Sequence, residues 1–184
     1  MNSNNFDKEK KRLITFFNKK KFLDVVQNGT KLLKHSPNNI QIIQILGISS
    51  IQMQNFIEAE KYFIKLLLIE KNADNYYTLG NIQKKLNKFK EAAISFESAL
   101  KIKPKFSEAH NNLGNVKKSL NKKDEAIYHY KKAINFKNDN IAALINLSTI
   151  LKENNSYEKL IEIYEKILNL DPKNLKTLYN LGTT

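Results

Sequence analysis

The chain contains no cysteine. That removes disulfides, thiolate metal sites and cysteine nucleophiles, and it fits a reducing, cytoplasmic setting. No apolar run approaches the ~18 residues that a membrane-spanning helix needs. The opening "MNSNNFDKEKKRLITFF" lacks the apolar stretch and small-residue cleavage site of a secretory signal. No HExxH and no G-x-x-x-x-G-K-[ST] occurs, so zinc-hydrolase and P-loop chemistry have no starting point. The three histidines, His35, His110 and His129, gather into no ligand motif. The expectation is a non-enzymatic protein without catalytic residues, metal or cofactor.

Arginine is almost missing as well. Arg12 is the one copy beside thirty lysines. The net charge of +13 would by itself point to polyanions. Arginine is the side chain best suited to bidentate phosphate and base contacts, however. Asparagine, at 25 copies, and isoleucine, at 21, are as overused as lysine. All three have A/T-rich codons, so much of the basicity reads as compositional bias rather than a nucleic-acid footprint.

What the chain does have is a period. Gly47, Gly80, Gly114, Ser148 and Gly182 recur at spacings of 33, 34, 34 and 34. A leucine precedes each: Leu46, Leu79, Leu113, Leu147 and Leu181. Twelve residues on stand Ala59, Ala92, Ala126 and Leu160. Four further come Phe63, Phe96, Tyr130 and Tyr164, then Leu66, Ala99, Ala133 and Ile167 three later. The offsets i, i+4, i+7 place these columns on one face of a helix. The leucine–glycine pair belongs to a preceding helix, where glycine lets the second helix approach closely. Asn87, Asn121 and Asn155 fall in the turns between, and asparagine tolerates the left-handed C′ conformation. Pro37, Pro104 and Pro172 close the second helices.

This column set resembles the tetratricopeptide repeat (TPR). The resemblance implies an all-α helix-turn-helix solenoid, a right-handed superhelix. Units are expected at 40–72, 73–106, 107–140 and 141–174. A degenerate helical repeat precedes them over 1–39, with Gly29 unexplained in its aromatic column. Residues 175–184 open a further first helix, as a cap or a truncated repeat.

In this family the first helix of each unit lines a concave groove. Positions two before, one after and four after the glycine share a face. They hold Thr78, Asn81 and Lys84; Asn112, Asn115 and Lys118; Asn146, Thr149 and Lys152; and Asn180. Around Gly47 the same positions are Ile45, Ile48 and Ile51. Asn112, Asn146 and Asn180 are similar to the asparagine ladder in the TPR superhelix of O-GlcNAc transferases. An amide offers both donor and acceptor to a peptide backbone. The resemblance therefore implies an extended polypeptide partner, with Lys84, Lys118 and Lys152 favouring acidic segments. In carboxylate-clamp TPRs, cations stand where this chain has Asn111 and Asn180, which argues against that mode. The reading is a protein-interaction module. Its alternative is the substrate-recruiting part of a larger glycosyltransferase or sulfotransferase-type enzyme.

Overall fold

The computed structural model describes residues 3–182. The described residues form eleven helices: α1 Ser3–Asn18, α2 Phe22–His35, α3 Ile40–Gln52, α4 Phe56–Ile69, α5 Ala73–Lys85, α6 Phe89–Ile102, α7 Ser107–Ser119, α8 Lys123–Phe136, α9 Ile141–Glu153, α10 Tyr157–Leu170 and α11 Leu175–Gly182. They fall into two compact units, α1–α6 and α7–α11, which divide after Ile102. Within each unit, consecutive helices pack as hairpins and each hairpin packs on the next. This is the all-α TPR architecture that the columns imply.

The hairpin turns show why the chain folds this way locally. Lys20, Gln54, Asn87, Asn121 and Asn155 all have positive φ, between 53° and 60°. In each turn the next residue's N–H reaches back five positions. Asn55 donates to the Ser50 carbonyl, Lys88 to Gln83 and Lys122 to Lys117, each at 2.9 Å. This left-handed C′ closure satisfies carbonyls that the helix end would leave open. The series also covers α1–α2, which has the same turn geometry without the sequence columns. Asparagine does a second job at the opposite ends. The Oδ1 atoms of Asn39, Asn55, Asn72 and Asn140 accept N–H bonds at the starts of α3, α4, α5 and α9.

The core lies along the facing sides of the hairpins. In α1–α6, Leu13, Val25, Leu32, Ile42 and Leu46 form one cluster. Ile43, Ala59, Phe63, Leu66, Leu79 and Ile82 form the next. In α7–α11, Tyr130, Leu144, Leu147, Ile150, Leu160, Tyr164 and Ile167 pack together, with Leu181 of α11 against them. The glycine column is a contact column. A Cβ on Gly114 would sit 2.5 Å from Tyr130 Cε1, and one on Gly80 2.7 Å from Phe96 Cε1. Gly29, obscure in the sequence, lies under Leu46, whose Cδ2 would be 2.9 Å from an added Cβ. A large residue in that column of α2 would have no room beside Leu46 and Leu13.

Candidate functional site

The first helices of the hairpins carry the candidate residues, and each unit presents its own face. In α1–α6 the face comes from α3 and α5. Ile45 is buried in the core, and Ile48 and Ile51 pack against it, so most of the expected apolar groove segment is absorbed by packing. Ile51 still lines an open cleft of about 310 Å³ with Phe56, Thr78, Asn81, Lys84 and Lys85. Thr78 bonds back to the Asp74 carbonyl at 2.8 Å. Burial pulls the Lys84 ammonium below its ordinary value, and neighbouring Lys85 adds to the effect.

In α7–α11 the face comes from α7, α9 and α11. Asn112, Asn115 and Lys118 are half-buried along α7; Asn146 is half-buried on α9, where Thr149 and Lys152 are exposed. Thr149, Lys152 and Asn180 line one cleft of about 360 Å³ together with Ser148, Tyr164, Asn174 and Thr177. Residues about 30 apart in the sequence thus converge, because α9 and α11 both pack on α10.

The amides are not a simple solvated row. Asn146 Nδ2 donates to Asn111 Oδ1 at 2.9 Å, so its partner on α7 is one residue before the ladder position Asn112. The buried Tyr130 hydroxyl donates to Asn115 Oδ1 at 2.8 Å. Burial pushes that hydroxyl up to about 12, so it is a donor at any physiological pH. Asn81, Lys84, Asn112 and Asn180 have interactions of their own as well. Lys118 bonds Glu153 at 3.0 Å, and Lys123 bonds the other oxygen of the same carboxylate at 2.8 Å. These two ammonium groups hold Glu153 below the usual carboxylate range.

Two features lay beyond reading from the sequence. His129 meets His110 at an Nδ1–Nδ1 distance of 3.1 Å. His110 Nε2 bonds the Pro104 carbonyl at 3.0 Å. Ser107, buried at the start of α7, donates to the Ala133 carbonyl and accepts from Asn140 Nδ2, both at 2.8 Å, which ties α7, α8 and α9 together. Among the described residues no cluster of three metal-ligating side chains occurs. No described helix is long and apolar enough to cross a membrane.

Models of the tetratricopeptide repeat match residues 107–140, and also 73–106 and 141–174. No curated protein sequence matches. Solved structures that resemble the chain include MamA, at 23% identity over 88% of this chain and 95% of that one, with a TM-score of 0.82. YrrB, described as a TPR protein with an unusual peptide-binding site, is 19% identical over 91% and 87%, at 0.79. A tetratricopeptide repeat protein of Parabacteroides merdae is 14% identical over 98% and 72%, at 0.85. At such identities the likeness speaks for the fold, while the three matched repeats span more than half of the sequence. The chain belongs to the tetratricopeptide repeat family, whose helical hairpins are protein-interaction scaffolds.

Proposed function

We propose that the chain is a non-enzymatic, cytoplasmic adaptor that binds an extended polypeptide along the first-helix faces. One observation carries this reading: Thr149, Lys152 and Asn180, from successive repeats, line a single open cleft. The lining is hydroxyl, amide, one ammonium group, the Glu153 carboxylate and the aliphatic Ile145, and its hydroxyls and amides are the chemistry that pairs with peptide backbone. The neighbouring α7 face adds Asn112, Asn115 and Lys118. In α1–α6, Asn81 and Lys84 occupy the matching positions.

The test is a random peptide library screened against the intact chain. Titrations would then compare wild type with an Asn112→Ala, Asn146→Ala double variant. Each lost amide pair is worth ~0.5–1.5 kcal/mol net, so the double variant should bind roughly 5- to 150-fold more weakly if the effects add. Alanines at Lys84, Lys118 and Lys152 should instead lessen the salt dependence and the preference for acidic peptides. Full affinity of the double variant for a groove-bound peptide would overturn the assignment of the asparagines. Tight oligonucleotide binding that falls steeply with salt would replace the whole reading with a nucleic-acid one.

A further inference from the structure

Residues at i, i+4, i+7 and i+11 of a helix form one stripe along it. On α4 these are Ile57, Lys61, Ile64 and Leu68. α4 packs on α3 and α5, and Ala59, Phe63 and Leu66 on its opposite side make that contact. The stripe faces away from both neighbours. Ile57 is 62% exposed, Ile64 45% and Leu68 80%. In the three following repeats all nine equivalent positions hold charged or amide residues; Lys90, Asp124 and Glu158 stand in the Ile57 column. Codon bias accounts for many isoleucines, but not for three large aliphatic side chains in water along one line of one helix. Beside the stripe, α2 and α4 border an open cleft of about 360 Å³, lined by Thr30, Leu33, Lys34, Pro37 and Lys65. It offers two ammonium groups and a hydroxyl, and no carboxylate lines it. Lys65 follows Ile64 and lies one turn before Leu68, so cleft and stripe are continuous.

We propose that this surface docks on an anionic lipid bilayer. Ile57, Ile64 and Leu68 enter the boundary between headgroups and acyl chains, and Lys34 and Lys65 take lipid phosphates in the cleft. Lys61, in the middle of the stripe, separates this occupant from a partner helix. In a helix–helix seam its ammonium would be buried, at a desolvation cost. At a bilayer its stem lies along the apolar surface while the charge reaches headgroup level. Its pairing with exposed Glu58 is of the kind that water and salt weaken. A second copy of the chain would bring another charge of +13 to the contact. The stripe, about 16 Å long and about 10 Å wide, also falls far short of the ~800 Å² per partner of a stable protein interface. The preference for lysine over arginine fits as well, because a surface potential acts on point charges and needs no bidentate geometry. The surface belongs to a second helix, so the first-helix face of the same unit stays open to polypeptide. The inference therefore stands apart from the peptide-binding reading.

The test sediments the intact chain with vesicles of phosphatidylcholine alone, or of phosphatidylcholine and phosphatidylserine at roughly 7:3. The chain should pellet with the mixed vesicles, less so as salt rises, and stay in solution with the neutral ones. Lys34→Gln with Lys65→Gln should weaken partitioning ~25-fold. Ile57→Ser, Ile64→Ser and Leu68→Ser together should weaken it ~10-fold or more. These columns are polar in the later repeats, so the triple variant should keep its helical circular dichroism. Lys101→Gln with Lys131→Gln removes cations from the Leu68 and Ile64 columns of α6 and α8, and should leave partitioning within ~2-fold. A chain that ignores the mixed vesicles, or a triple serine variant that pellets like wild type, would overturn the proposal. So would an equal loss in the Lys101, Lys131 variant, which would mark general adsorption of a basic chain. A dimer in sedimentation velocity that the serine variant abolishes, in a chain indifferent to vesicles, would assign the stripe to a second copy instead.

Discussion

At the scale of single residues, the repeat columns divide into those set by packing and those set by backbone shape. Leu113 is fully buried, and Leu113→Ala should cost ~2–5 kcal/mol in urea or thermal melts. Gly114→Ala drives a Cβ against the buried Tyr130 ring, so despite alanine's better helix propensity it should destabilise by ~1–3 kcal/mol. The turn residues follow the other logic. Lys20 and Gln54 hold a left-handed conformation that costs a β-carbon-bearing residue ~1 kcal/mol or more. Changing either to glycine should raise the melting temperature, whereas Asn121→Val should lower it. The turns at Asn87, Asn121 and Asn155 were legible from residue type, but those at Lys20 and Gln54 were not, because neither residue type favours positive φ. The asparagine caps were hidden for the opposite reason. With asparagine everywhere, its presence before a helix carried little information until the Oδ1 bonds were seen.

At the scale of helices, the sequence marked which columns face a neighbour but not which polar atoms meet. The hairpin faces, the glycine contacts and the prolines two residues past α2, α6 and α10 follow from spacing alone. The Tyr130–Asn115 and Asn146–Asn111 bonds and the His110–His129 contact join helices whose rotation and offset no column states. The histidine contact has a testable consequence. Neutral His110 donates through Nε2 to Pro104 and accepts at Nδ1, so His129 donates through Nδ1. A protonated His110 would place two donors face to face. Burial already holds His110 below its ordinary 6.5, with Lys132 adding to the effect and the Pro104 carbonyl opposing it. The unfolded chain therefore takes up this proton first, and folding stability falls as pH drops through 6.5, levelling off below the folded-state value. Melts of the intact chain across this range should show the loss, and His110→Leu should flatten it; Leu144 fills the same column in the next repeat. Glu125 behaves oppositely in a lower window. Bonds from Lys117 and Lys122 hold its carboxyl at about 2. Its contribution is present above 4.5 and disappears as pH falls toward 2. With its side chain 45% exposed to solvent, this contribution should shrink in high salt.

At the scale of the whole molecule, charge and face separate. The net charge of +13 is that of a polyanion binder, but it is carried by lysines, several of which are engaged by neighbouring carboxylates. Lys117, Lys118, Lys122 and Lys123 each bond Glu125 or Glu153, so two carboxylates offset half the charge of this run of four lysines. The first-helix faces instead offer amides and hydroxyls around open clefts. Nuclear magnetic resonance mapping of the intact, isotope-labelled chain tests this most directly, with and without a saturating library-selected peptide. Side-chain amide signals of Asn112, Asn115 and Asn146 should shift together with backbone signals of α7 and α9, while the outward faces of α8 and α10 stay unchanged. Shifts confined to Tyr128, Tyr157, Ile161 and the rest of those outward faces would contradict a groove that binds polypeptide.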